Sequence, residues 1–149
     1  MSNRIKNTFS EDKNFFIMKN KTFDEILFNF CSINEENEIV IDYRYFKLLC
    51  LTKSMNYDTI NEYVIKLMQK VLLNNSVFVV HLCLKSLTIA DVDKHYKFIC
   101  KISEILKTTF PDKLEKCFVY KAPFIFSQLF TIISAFVDKT TLDKLELVK

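Results

Sequence analysis

Residues 76–84 read Ser-Val-Phe-Val-Val-His-Leu-Cys-Leu, a run that is apolar at odd and even positions alike. A strand wet on one face alternates apolar and polar side chains. A β-branched run without that alternation is what an inner strand needs when the sheet is covered on both faces. The flanks fit this reading. Upstream, Thr59 and Glu62 form a capping box ahead of Ile60, Val64, Leu67, Met68 and Val71, whose spacing predicts a helix over 59–73 that Asn74-Asn75 ends. Downstream, Thr88 and Asp91 cap a helix whose stripe Val92, Tyr96, Ile99, Ile102 and Leu106 runs to about residue 108, where Phe110-Pro111 stops it.

Further out, Ile39-Val40-Ile41 predicts an earlier strand and Lys116–Lys121 a later one. Thr22 with Glu25 caps a short helix over about 23–31, Glu35, Glu36 and Asn37 make a polar turn, and Tyr45–Leu51 reads as a helical turn. Pro123 opens a helix through about Val137, in the first turn where its missing N–H costs least. Residues 1–20 have no clear period and predict a short helix at most. Strands alternate with helices, and each crossover is long enough for parallel pairing, so the class is α/β. No linker or repeat divides the 149 residues, which read as one domain, with 1–37 a short N-terminal helical segment.

Composition narrows the function. Half of the residues are apolar and 15 are Phe, so a real core is expected. The chain has no Gly and two Pro, which excludes glycine-rich phosphate loops, where a Cβ would block the approach of phosphate to backbone amides. Net charge is +3, too small to argue for nucleic acid. The bias is uneven: residues 94–149 hold 10 Lys against 6 acids, which suits an anionic ligand or membrane surface. Five cysteines, at 31, 50, 83, 100 and 117, form no CxxC pair and read as reduced. His81 and Cys83 would share a strand face, but the paired spacing of a zinc site is missing, so no metal is expected. Ala122–Val137 is the longest uncharged apolar stretch, and it is shorter than the roughly 18 residues of a membrane span. A soluble, cytoplasmic protein is expected.

From Phe124 to Val137 there is no charge. Ser127, Thr131 and Ser134 form a narrow polar stripe opposite Phe126, Leu129, Phe130, Ile133 and Phe136. That face is a core helix or the wall of a cavity for hydrocarbon chains. Phe110-Pro111-Asp112-Lys113-Leu114, then Phe118-Val119-Tyr120-Lys121-Ala122-Pro123-Phe124, Phe126-Ser127, Phe136-Val137-Asp138 and Lys144-Leu145 resemble the C-terminal half of a CRAL-TRIO lipid-binding domain. Leu84-Lys85-Ser86-Leu87-Thr88-Ile89 extends the likeness upstream, and its nearest branch is the yeast-type phosphatidylinositol/phosphatidylcholine transfer family.

The resemblance implies a mostly parallel sheet flanked by helices over 38–149, with a hydrophobic lipid cavity closed by a gate helix. It carries the headgroup roles to Asp112, Lys113, Thr141 and Lys144, and the acyl cavity to Phe78, Val80, Leu82, Leu84, Phe118 and Tyr120. The gate would use Phe126, Leu129, Phe130, Ile133 and Phe136. A phosphodiester needs a cation and hydroxyl donors, and inositol hydroxyls need a carboxylate acceptor. The branch's two choline-phosphate hydroxyls fall at Phe78 and Val80, so phosphatidylcholine is expected to bind weakly. The implied partners are phosphatidylinositol or its phosphorylated forms, aided by Lys85, Lys116 and Lys121, and a transient, peripheral contact with a membrane surface. Non-catalytic exchange between membranes is the implied function, with no cofactor beyond the bound lipid. The alternatives are a peripheral phosphoinositide sensor and a protein-interaction module. An enzyme using Cys83, Cys100 or Cys117 with His81 or His95 has no local pattern behind it.

Overall fold

The computed structural model describes residues 22–52, 55–124, 126–135 and 137–149, so the expectation for 1–20 lies outside the described residues. Five strands form one sheet in sequential order: β1 (Cys31–Ile33), β2 (Ile39–Asp42), β3 (Phe78–Cys83), β4 (Leu114–Tyr120) and β5 (Leu145–Val148). β1 runs antiparallel to β2, and all other pairs are parallel. The described helices are α1 (Phe23–Phe30), α2 (Tyr43–Cys50), α3 (Tyr57–Leu72), α4 (Ile89–Lys94), α5 (Tyr96–Thr108), α6 (Phe126–Ile133) and α7 (Lys139–Leu142). The class is the expected α/β, with a mostly parallel sheet flanked by helices.

Local chemistry explains most boundaries and corrects several expectations. The Thr22–Glu25 and Thr88–Asp91 capping boxes both form. The Asn34 side chain accepts hydrogen bonds from the amides of Glu36 and Glu38, closing the turn of the β1–β2 hairpin. β1 itself was not expected, because three residues are too few to show a period. Asp42 caps α2 through the Arg44 amide, so the expected helical turn at 45–51 is a helix of 8 residues. α3 starts at Tyr57 because Asn56 caps it, and Thr59 and Glu62 sit inside the helix instead of forming its box. The helix expected from 88 to 108 is split at His95, whose ring is anchored sideways by the Tyr57 hydroxyl at 2.8 Å and the Phe46 ring at 4.9 Å.

Consecutive strands are neighbours, so crossovers of the usual right hand deposit their helices on one face of the sheet. The register places Ile39 and Ile41 of β2, Val80 and Leu82 of β3, Cys117 and Val119 of β4 and Leu145 of β5 on a common face. His81, Cys83, Phe118 and Tyr120 share the other. Both faces of β3 are covered, as its unbroken apolar run requires: Phe78, Val80, His81 and Cys83 are all buried. Among the described residues no helix is long and apolar enough to cross a membrane.

Candidate functional site

The helix-covered face of the sheet does not close on itself. A cavity of about 300 Å³ lies over it, and every described helix contributes at least one wall residue. Val80, Leu82, Cys117 and Val119 form the floor, and Phe98 and Phe126 belong to the opposing wall.

Of the residues assigned to the acyl cavity, Val80, Leu82 and Leu84 line it. Phe78 shares their face but packs edge-on against Phe110, with ring centroids 5.9 Å apart, and is not part of the wall. Phe118 and Tyr120 are corrected: they point to the far side of the sheet, where both rings lie against His81. The cause is a one-residue irregularity. Phe78 pairs with Leu114 but Val79 pairs with Lys116, so Glu115 is extra. Such a slip exchanges the two faces for every later residue, and Cys117 and Val119 take the places expected of Phe118 and Tyr120.

The helix assigned to the gate is shorter than expected. It begins at Phe126, whose amide donates to the Pro123 carbonyl at 2.8 Å, and the preceding Phe124 is 98% exposed. Phe126 lines the cavity and Phe130 packs on it at 6.2 Å. Phe136 and the side chains of Leu129 and Ile133 lie outside the described residues. The Thr131 and Ser134 hydroxyls donate to backbone carbonyls of their own helical turn and are exposed.

At the N-terminal edge of β4 and β5 a second, polar pocket of about 220 Å³ adjoins the first. Leu106, Lys107, Leu114, Asp138 and Thr141 belong to both walls, so the two form one amphipathic site. Three of the four residues assigned to a headgroup, Asp112, Thr141 and Lys144, meet in the polar pocket. Lys113 and Lys121 are exposed, Lys85 and Lys116 are half-buried, and all four lie outside its wall. Lys107 is the residue that sequence reasoning missed. It lies in the last turn of α5, and only the packing of that helix beside α7 brings it to the pocket.

Backbone bonds hold these side chains in place. Asp138 caps α7 by accepting from the Thr141 amide at 2.8 Å, the Lys144 amide donates to Thr141, and the Lys144 carbonyl accepts from Cys117 of β4. On the facing turn the Lys113 amide donates to Phe110, and Asp112 has a left-handed φ of 58°. Thr141, through its hydroxyl and amide, holds the Asp138 carboxyl below the usual range, with help from the charges of Lys107 and Lys144. The pocket wall thus carries two ammonium groups, two carboxylates and threonine hydroxyls.

Of the cavity's other polar groups, Ser103 lies within α5, and Tyr43, Asp91 and His95 follow the C-terminal ends of β2 and β3, at the opposite edge of the sheet. Burial pushes the Cys31 and Cys117 thiols up to about 12, which keeps them protonated near neutrality. His81 is hydrogen-bonded at both ring nitrogens, to the Tyr120 hydroxyl and the Glu38 carboxylate, each at 2.7 Å, on the face away from the cavity.

Comparison with known proteins bears on the whole arrangement. The model of the CRAL/TRIO domain matches residues 57–149. Over 65 residues the chain is 31% identical to a Sec14 cytosolic factor of Schizosaccharomyces pombe, a stretch amounting to 44% of this chain and 23% of that protein. The crystal structure of Sfh5 matches with a TM-score of 0.62 over 78% of this chain and 43% of its own, at 21% identity, a likeness of fold.

Proposed function

The chain belongs to the CRAL/TRIO domain family, and from that premise we propose that it binds a phosphatidylinositol-class phospholipid and exchanges it between membranes without catalysis. The observation that carries this reading is the shared wall: a polar pocket with Lys107, Lys144, Thr141 and Asp112 opens onto an apolar cavity through Leu106 and Leu114. A phosphodiester would sit against the ammonium groups and the Thr141 hydroxyl, inositol hydroxyls would donate to Asp112, and hydrocarbon would enter the cavity. Two ammonium groups balanced by two carboxylates favour one phosphate on a polyol over a ring carrying several. Phosphatidylinositol itself is therefore preferred among its phosphorylated forms. Phe78 and Val80 offer no hydrogen bond to a choline phosphate, which supports discrimination against phosphatidylcholine.

One observation favours a second reading, a sensor that reads headgroups at a membrane surface without extracting whole lipids. At roughly 30 Å³ per methylene-sized group, the cavity takes about ten methylenes. Burying them is worth about 8 kcal/mol, against the roughly 25 kcal/mol lost when some thirty methylenes leave a bilayer. Exchange of a two-chain lipid then requires α6 to move and enlarge the cavity.

Vesicle-to-vesicle transfer of fluorescent phosphatidylinositol, with vesicle co-sedimentation in parallel, tests both. Exchange that drops at least about tenfold in Lys144→Ala and in Thr141→Asp is the expected result. Co-sedimentation without exchange selects the sensor, and undiminished exchange in both variants removes the assigned headgroup pocket.

A further inference from the structure

Among the described residues of the polar pocket, Asp138 is the charged one that neither a phosphodiester nor a polyol calls for. It belongs to the wall with Lys107, Asp112 and Lys144, and it borders the apolar cavity as well. Its place is fixed by α7, which it caps by accepting from the Thr141 amide at 2.8 Å. The same carboxylate lies in the field of Lys107 from α5 and of Lys144 just beyond α7, and Thr141 and then these two cations keep it ionised. Capping alone does not require that charge, because Asn and Ser cap a helix as well as Asp does. The charge bears on the ligand instead. Lys107 and Lys144 against Asp112 and Asp138 sum to zero. A phosphodiester adds one negative charge to that set, whereas a phosphomonoester on the ring adds about 1.5–2 more near pH 7. Asp138 repels the second anion at the wall where the first is bound.

We propose that Asp138 is the specificity-determining residue of this pocket: sharing a wall with Lys107 and Lys144, its carboxylate admits the singly charged phosphodiester of an inositol lipid and rejects rings that also carry phosphomonoesters. Asp112, on the facing turn, keeps its task of accepting from ring hydroxyls, so the two carboxylates divide the work, one attracting the polyol and the other limiting the charge. The proposal rests on the reading of this pocket as a headgroup site and adds to it the residue that sets its selectivity.

The test is calorimetric titration of the full chain with dihexanoyl phosphatidylinositol and with its 4-phosphate, water-soluble probes whose short chains match the cavity's capacity of about ten methylenes. The wild type should prefer the unphosphorylated ring about fivefold. Asp138→Asn keeps the cap and removes the charge; it should bind phosphatidylinositol within about twofold of the wild type while the preference falls to about twofold or less. Raising the salt to about 0.5 M should shrink the wild-type preference toward that of the variant, a response that a merely structural role for Asp138 would not give. A preference that survives Asp138→Asn or ignores salt overturns the proposal, and so does equal loss of both lipids in the variant, which would make Asp138 only the holder of Thr141. If Asp138→Asn fails to fold, Asp138→Ser replaces it, and if neither folds, the wild-type preference and its salt dependence decide. Binding of neither lipid to the wild type overturns the headgroup reading as well. Equal wild-type binding of both overturns only the role of Asp138.

Discussion

Val80 and His81 are neighbours on β3, yet the two faces they serve are built on opposite plans. Val80, with Leu82 and Leu84, borders empty space. His81, one residue along, is 1% exposed, bonded at both nitrogens and stacked on Phe118 at 5.4 Å. The buried Asp42–Arg44 pair, bonded at 3.1 and 2.8 Å, lies on the His81 side. The greasy face is thus the permissive one and the polar face the rigid one. A buried polar group demands its partner at one distance and angle, whereas apolar walls tolerate a gap at a modest cost in lost contacts.

The contrast can be broken experimentally. The largest effect is expected on the polar face, where Asp42→Ala strips Arg44 of its bidentate carboxylate and α2 of its cap. Urea unfolding should show a loss of about 3–5 kcal/mol. A smaller loss would mean that the charged pair is not the anchor of that face. Next in size is a matched pair of insertions on one strand. Cys83→Phe enters a filled region and should cost about 1–3 kcal/mol, while Val80→Phe grows into the cavity and should cost less than about 1 kcal/mol while blocking lipid uptake. Equal costs would show that no usable void exists beside Val80.

The smallest expected effect is electrostatic. Burial lowers the pKa of His95 below its ordinary value, with Lys94 and Lys47 reinforcing it against Asp91. The unfolded chain therefore takes up the proton first as pH falls. The stabilisation from neutral His95 is present above about pH 6.5 and is lost as pH drops through the lower folded-state value. Between about pH 7.5 and about pH 5.5 the melting temperature of the wild type should fall further than that of His95→Gln. Parallel curves would place the titrating group elsewhere.

Much of this was legible beforehand because it is local. The Thr22 and Thr88 caps and a strand within 76–84 follow from residue type and spacing, whereas Asp112, Thr141 and Lys144 were singled out by the family likeness. What was misread turned on long-range pairing. Glu115 looks like any polar strand residue, yet its insertion opposite β3 sends Phe118 and Tyr120 to the wrong side for an acyl wall. His95 sits in an unbroken helical period, and only contact with Tyr57 and Phe46 turns it into a break that faces the cavity. Lys107 is one lysine among many until α5 docks beside α7.

The amino-acid order alone settled the α/β class, the directions of its main elements and the chemical types available for a lipid site, since periodicity and capping act within a few residues. Only the tertiary structure decided which parity of β4 faces the helices, which lysine reaches the polar pocket, and that the apolar interior keeps a hollow with a phenol at its far end. Register, docking and empty volume are sums over contacts between distant segments, and no local pattern encodes a sum of that kind.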